Sequence, residues 1–594
     1  MLRKTLIINH VEREILCNPD ESLAQVVRRM GLTGTKVGCG TGQCGSCSLI
    51  LNGKLIRSCV RLMKSIKDYA EVETIEGLGT ADNLHPLQQA FLTYAAVQCG
   101  FCSPGFIMSA KALLNENLSP TRQEVRDWFT SHNNVCRCTG YKPIVDAVMA
   151  AAEVMRGEKT MADITFTPDE DGTIYGTHFP KPEGASRVLG QCDYGADVAL
   201  KMPENALHLA VVLARTHRAR ITNIAMDEAL AMDGVVNVIT AKDVKGTNRL
   251  FSPQASVHSA CDGFERPVIN EDLIYRFGDI VAIVAAKTKA QARLAAAKVV
   301  VEYEELPAVM TFLDAAKADA PRVHADMPNI FIEQPVLKGE DPRPIVEGAH
   351  CVAEGSFSTS RQSHLPIEPD VVQAYPQDDG IVIQCKTQYL YFIKAQISAA
   401  IGLEKDKIHI ISNPAGGSFG YSMSPANYAV CAICALALNA PVSLELSYEE
   451  HQHVTGKRSP IHANVRLACD ESGKMLGMDF LAGVDHGAYS EMAGALTTKV
   501  IRFFGYPYSI ASVRGLVRTA YTNANFGIAY RAFGSPQSYT ASEQIVDILA
   551  KKMGMDPFEF RYINVAQEGD LSTTSVPYFE YPMQGMMDMM RPHI

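Results

Sequence analysis

The pattern of apolar and polar positions changes period several times along this chain. Near the N-terminus, Thr5-Leu6-Ile7-Ile8 and Ser48-Leu49-Ile50-Leu51 have the length and flanks of strands. Asn52-Gly53, between Leu51 and Lys54, is a two-residue hairpin turn. Residues 22–30 read as a short helix. A helical period follows: Phe106, Ile107, Ala110, Leu113 and Leu114 share one face of a helix that Ser103 caps and Pro104 opens. Pro143 opens a second, with Ile144, Val145, Val148 and Met149 on its apolar side. Later, 408–411 reads as a strand, 413–420 as a tight glycine loop and 428–438 as an Ala-rich helix. Ser535 and Pro536 start a last helix whose face is Ala541, Ile545, Ile548 and Leu549, closed by Gly554.

At 594 residues the chain is long enough for about four domains. Its 47% hydrophobic and 20% charged residues exclude disorder over most of the length and exclude a single small core. A formal net charge of -10 argues against a nucleic-acid binder, which needs a basic face. The first ten residues lack the apolar stretch of a signal peptide, and the run at 428–438 is too short to span a bilayer. A cytoplasmic location with no membrane contact is therefore expected. Eight of the 16 cysteines fall between Cys39 and Cys138 at metal-ligand spacings, which in a cytosolic chain outweighs a disulfide framework.

The first group, Cys39, Cys44, Cys47 and the more distant Cys59, has the plant-type 2Fe–2S spacing C-x4-C-x2-C…C. Such a cluster with four thiolates carries net negative charge and has to be wrapped by backbone N–H groups; Gly38, Gly40, Gly42 and Gly45 permit that approach. The alternative is structural zinc, but zinc loops show paired C-x2-C knuckles, and this loop does not. The second group is Cys99 and Cys102, in Gln98-Cys99-Gly100-Phe101-Cys102-Ser103-Pro104-Gly105, with Cys136 and Cys138, in Cys136-Arg137-Cys138-Thr139-Gly140-Tyr141. Each pair leads into a helix, so two positive helix ends would face one anionic site. Taken alone, this group also fits tetrahedral zinc. Cys431 and Cys434 lie on an apolar helix and read as core residues; Cys17, Cys192, Cys261, Cys351, Cys385 and Cys469 have no partner spacing.

Two cysteine groups in this order, with those two motifs, resemble the molybdenum hydroxylases of the xanthine oxidase family, and within it the flavin-free bacterial aldehyde oxidoreductases. The resemblance covers essentially the whole chain. It implies an α+β multidomain fold: a β-grasp 2Fe–2S ferredoxin domain (1–76), a helical-bundle 2Fe–2S domain (77–156), a linker (157–180), an α/β hammerhead (181–310) and the first half of the molybdopterin-binding α+β domain (311–594). Residues 184–190 and 193–197 look like the approach to the hammerhead, 206–213, 235–239 and 280–285 like its strands, and 291–298 like a helix. The implied cofactors are two 2Fe–2S clusters and molybdenum-molybdopterin in its cytosine dinucleotide form, with no FAD.

By the same resemblance, Gly417, Phe419 and Gly420 pass beside the metal, with Phe419 facing it. By itself a glycine turn after a strand is only a generic anion cradle. Arg531, Ala532 and Phe533 correspond to the stretch that binds the pterin and lines the substrate channel; without the family, Arg531 reads equally well as a surface salt bridge. Ala532 replaces the family's usual glycine. Gln98 and Cys138 match positions that touch the pterin, which puts the second cluster next to it and the first outward. Gln388 matches a glutamine that bonds the metal's apical ligand, although ordinary strand-end polarity explains it nearly as well.

The implied reaction is hydroxylation of an electron-poor carbon with oxygen from water, giving an acid from an aldehyde, assisted by a carboxylate base, the electrons leaving singly through the clusters. Met423, where purine-oxidising relatives carry a glutamate, disfavours xanthine. Lys499 falls near a substrate-orienting arginine of relatives but reads as a surface lysine. Glu368 reads as structural, and no catalytic residue is assigned: the family's second cofactor domain, which carries the base, is expected to be missing after Ile594. Implied partners are a small aldehyde, an acceptor such as a flavodoxin or ferredoxin, a second chain carrying the remaining domain, and a second copy in a homodimer. The alternatives are an incomplete fragment, an iron–sulfur electron-transfer subunit, and a hydroxylase of an N-heterocycle.

Overall fold

The computed structural model describes residues 1–250 and 266–594, so Cys261 lies outside the described residues. At the N-terminus the strands Leu2–Ile8, Val11–Cys17, Ser48–Leu51, Lys54–Arg57 and Ala70–Glu73 form one five-stranded sheet. Leu2–Ile8 pairs in parallel with Ala70–Glu73, the crossover typical of a β-grasp. The helix Leu23–Arg29 crosses the sheet, its first turn closed by a capping box between Ser22 and Gln25. It buries Leu23, Val26 and Val27 against Leu6, Ile8, Leu49 and Val72. Asn52 and Gly53 have φ of 49° and 75°, the positive pair that a type I′ hairpin needs.

Four helices follow, Pro86–Thr93, Ser103–Glu116, Arg122–Ser131 and Lys142–Met155, packed around Phe91, Phe106, Ile107, Val125, Phe129, Ile144 and Val148. Ser103 does not cap its helix. It is the first helical residue, Cys102 stands at the cap, and no side chain bonds the end. The expected linker is not bare either: Ile164 is fully buried in the helical core, and its carbonyl accepts from Thr93 Oγ1 at 2.6 Å.

The rest of the chain builds two large sheets. The seven-stranded sheet has the order 408–412, 380–385, 371–377, 442–445, 207–213, 280–286, 235–239, so it draws strands from both sides of residue 310. The helix Ala426–Leu438 packs on it, with Cys431 and Cys434 inside the core as expected. The five-stranded sheet has the order 330–338, 512–521, 475–487, 461–469, 351–358 and carries the helices Ala493–Phe503 and Ser535–Met553. The helix expected at 291–298 spans Lys289–Ala296, because Thr288 caps it earlier. Ser535 is again the first helical residue, preceded by Gly534, and its hydroxyl turns back to donate to Ala532 O at 2.7 Å. Ile548, expected on the buried face, is 36% exposed because that face extends from Ala541, Ile545 and Leu549 toward Ser542, Val546 and Ala550, on the other side. Among the described residues no helix is long and apolar enough to cross a membrane.

Candidate redox and cofactor site

The first cysteine loop is wound tightly by glycines. A Cβ on Gly38 would lie 2.6 Å from Ile367 O and 3.1 Å from Cys44 Sγ, so only glycine fits there. The N–H groups of Thr41 and Gln43 donate to Cys39 Sγ at 3.4 and 3.2 Å. The four thiols stand as two contacting pairs, Cys39 with Cys44 and Cys47 with Cys59. The Cys44 thiol together with these N–H groups draws Cys39 down to about 4, while its partner Cys44 is pushed up. None of the described cysteines forms a disulfide.

In the second group the four thiols are joined in one run of contacts rather than two separate pairs. Cys99 touches Cys138, and Cys102 touches Cys136, which also touches Cys138. The Cys102 and Cys138 thiols, with Thr139, hold Cys136 down at about 2. Cys102 immediately precedes the helix Ser103–Glu116, and Tyr141, at φ 69°, precedes the helix Lys142–Met155. Among the described residues no three His, Cys, Asp or Glu side chains are set to hold a single metal ion. Four thiols gathered at each site match the ligand count of a 2Fe–2S unit.

The two sites are directly joined. Val135 N–H donates to Cys44 O at 3.1 Å, and Asn134 Nδ2 donates to Gly45 O at 3.3 Å. From the second site the chain reaches onward. Arg137, between Cys136 and Cys138, donates to Tyr530 Oη at 2.8 Å and to His364 O at 3.2 Å. Tyr530 is stacked on His364 at 4.3 Å, with the Arg458 guanidinium 4.0 Å above its ring.

Tyr530 opens the second of two loops that meet here. The Arg531 N–H donates to Phe419 O at 2.8 Å, and a Cβ on Gly420 would lie 2.3 Å from Ala529 O. Gly417, Phe419 and Gly420 have φ of 97°, 60° and 120°. Ser418 Oγ donates to Gln388 Oε1 at 2.7 Å, which brings Gln388 to the same place. Arg531, Ala532 and Gln388 are exposed, and no bond of the Arg531 guanidinium or the Gln388 amide nitrogen occurs among the described residues. Phe533 is half-buried and packs on the core of the five-stranded sheet. The Ala-rich helix starts at Ala426, two residues before the expected 428, and a separate turn at Tyr421–Met423 stands between it and the glycine loop. Gln98 is not joined to this group. It is exposed, and its backbone carbonyl accepts from Lys181 at 3.3 Å.

Glu368 is 1% exposed and holds the glycine loop from beneath. Its Oε2 accepts from Lys386 Nζ at 3.0 Å and from Gly416 N–H at 2.7 Å, and its Oε1 accepts from Gly195 N–H at 3.2 Å. Burial pushes its carboxyl up despite Lys386. Lys499 is half-exposed, and a Cβ on Gly534 would lie 2.7 Å from Lys499 Cβ, so this side chain stands at the rim of the Arg531 loop.

With this geometry in place, comparison with known proteins identifies each part. Residues 6–73 match the 2Fe–2S iron-sulfur cluster binding domain and 74–149 the 2Fe–2S binding domain. Residues 189–307 match the a/b hammerhead domain of aldehyde oxidase and xanthine dehydrogenase, and 323–565 the molybdopterin cofactor-binding domain. The chain belongs to the molybdenum hydroxylase family. Among the hydroxylases it is 46% identical over 594 residues to the aldehyde oxidoreductase of Megalodesulfovibrio gigas, covering 100% of this chain and 66% of that relative. It is 28% identical over 401 residues to the nicotinate dehydrogenase large molybdopterin subunit of Eubacterium barkeri, covering 67% of this chain and 91% of that subunit. The solved structure of the Desulfovibrio gigas aldehyde oxidoreductase superposes with a TM-score of 0.98 at 46% identity, over 100% of this chain and 66% of that one. The chain thus spans just under two thirds of the length of these two aldehyde oxidoreductases. Arg137, Tyr194 and Tyr530 stand inside sequence motifs that give them no role, and Lys386 lies outside every motif. Only Arg137 carries a sequence signal, its place between two motif cysteines.

Proposed function

We propose that this chain is the cluster-bearing and cofactor-holding part of a molybdenum-dependent aldehyde oxidoreductase. It would turn an aldehyde into a carboxylic acid with water as oxygen source and pass the electrons to an external acceptor such as a flavodoxin or ferredoxin. One relationship carries this reading: the loop with Cys136 and Cys138 is hydrogen-bonded through Arg137 to the turn at Tyr530, whose next residue bonds the glycine loop. Thiols and cofactor loops form one continuous unit.

In this reading Cys39, Cys44, Cys47 and Cys59 hold one 2Fe–2S cluster and Cys99, Cys102, Cys136 and Cys138 the other. The molybdopterin, in its cytosine dinucleotide form, would supply the two-electron oxidation. Arg531 offers it charged donors, and the positive-φ backbone at Gly417, Phe419 and Gly420 and at Ala532 lets main chain approach it closely. Gln388 is oriented by Ser418, and its amide nitrogen, which has no bond among the described residues, would be offered to the metal's ligands. Gln98 adjoins Cys99, and Phe533 borders the substrate path. Met423 offers no hydrogen bond to a purine edge, which favours an aldehyde. Glu368 is engaged and buried, so it holds the loop, and the base is assigned to the part by which the relatives exceed this chain's span, in cis or on a second chain.

Iron analysis with electron paramagnetic resonance tests this. Four irons per chain and two distinct reduced signals are expected, and Cys138→Ser should abolish one signal and spare the other. Zinc in place of iron, or a single signal in the parent, would overturn the reading. Aldehyde-dependent dye reduction is expected when this chain is supplied with the remaining segment of its relatives.

A further inference from the structure

The segment from Arg187 to Asp197 touches both cysteine sites and the glycine-loop support at once. On one side, Lys36, three residues before Cys39, is 1% exposed; its Nζ donates to Cys192 O at 2.8 Å and pairs with Asp197 at 2.7 Å. On the other, Gly195 bonds Glu368, and its carbonyl accepts from Gln373 at 3.1 Å. Between them, Tyr194 packs edge-on against Phe101 with ring centroids 5.1 Å apart, in a cluster with Cys44, Cys192 and Ile367.

At the centre is the carbonyl of Cys99. Tyr194 Oη donates to it at 2.7 Å, and Arg187 Nη1 donates to the same oxygen and, at 3.1 Å, to Tyr194 Oη. Gly100, at φ 82°, lies flat on the Arg187 stem, where a Cβ would come within 2.5 Å of Arg187 Cδ. The Arg187 side chain is 4% exposed, while its counter-ion Glu183 is 67% exposed. Solvent therefore screens the carboxylate far more than the guanidinium, and net positive character remains inside.

We propose that Arg187 and Tyr194 are positioning residues that set the reduction potential of the cluster on Cys99, Cys102, Cys136 and Cys138. This rests on the cluster assignment above. A peptide carbonyl aims negative charge at its surroundings, and an added electron makes a cluster more negative. Two donors on that carbonyl, one of them charged, offset the repulsion and favour the reduced form; such hydrogen bonds and net charge are the levers a protein has over cluster potential. The cluster that receives electrons from the cofactor is thereby made easier to reduce.

The test is redox titration of the full holoprotein followed by paramagnetic resonance, comparing the parent with Tyr194→Phe, which keeps the ring and loses the hydroxyl. Both signals and four irons should persist. The signal that Cys138→Ser abolishes should move to lower potential, its reduction about tenfold less favourable, 59 mV for a one-electron couple. The other signal should stay in place. Arg187→Lys, which keeps the charge but loses the fork, should move the same signal in the same direction and serves if Tyr194→Phe loses iron. Midpoints that do not move, or two that move together, overturn the proposal. Fewer than four irons in the parent would instead mean that the cluster assignment has failed.

Discussion

The main-chain N–H of Arg531 donates to the carbonyl of Phe419 at 2.8 Å, and this bond closes the turn before one helix onto the glycine loop after a distant strand. Both residues of the contact sit in strained surroundings, since Phe419 has φ 60° and the next residue along from Arg531, Ala532, has φ 66°. A side chain in that region costs about 1 kcal/mol or more, against a smaller entropic cost for glycine. Ala532→Gly should therefore leave stability unchanged or raise it by up to about 1 kcal/mol, whereas Ala532→Val should lower it by about 1–2 kcal/mol. Thermal unfolding of the three proteins side by side decides it; a clear loss in the glycine variant contradicts the argument.

Gly105 lies in the first turn of the helix Ser103–Glu116, where helix propensity alone predicts a gain of about 1 kcal/mol from alanine. The packing predicts the opposite sign. A Cβ there would meet Gly45 O at 2.5 Å and Ser46 O at 2.9 Å, backbone atoms of the first cysteine loop that cannot rotate away. Gly105→Ala should destabilise by about 1–3 kcal/mol, and hydrogen exchange at 44–48 should quicken.

Lys386 and Glu368 form a buried pair, 2% and 1% exposed. Lys386→Met would leave the carboxylate of Glu368 without its cation in a dry site, a loss of about 3–5 kcal/mol. Adding Glu368→Gln should recover part of it, because the amide oxygen can still accept from Gly416 N–H. Denaturation midpoints of the single and double variants measure the coupling, and strictly additive losses would refute it.

His364 is 2% exposed, and its Nε2 donates to Ala529 O at 2.8 Å. Burial, helped by Lys457 and Arg458, depresses it to about 3 from an ordinary value of 6.5. The unfolded chain therefore takes up the proton first. The stability that neutral His364 contributes is complete above about pH 6.5 and is lost as pH falls toward 3, by about 1.4 kcal/mol per unit. In His364→Gln, whose amide can still donate to Ala529 O, unfolding free energy between pH 6 and 4 should fall less steeply by about that amount.

What depends on neighbours along the chain was legible in the amino-acid order alone. The cysteine spacings, the Asn52-Gly53 hairpin, the apolar face of 106–114 and the stop at Gly554, which has φ 66°, are local, and each is legible because the backbone geometry it needs limits the residue types that fit. Local signals failed where another contact competed. Ser103 and Ser535 look like caps, but each helix takes up its serine as the first residue, after Cys102 and Gly534. It took the packed fold to bring Cys99 to Cys138 across two helices, Arg137 to Tyr530, Lys386 to Glu368, and Tyr194 onto the carbonyl of Cys99. Those partners are joined by the crossing of sheets and helices rather than by spacing. A buried charge or carbonyl has to be satisfied by whichever donor the packing brings within about 3 Å, and that donor's place in the chain leaves no periodic trace.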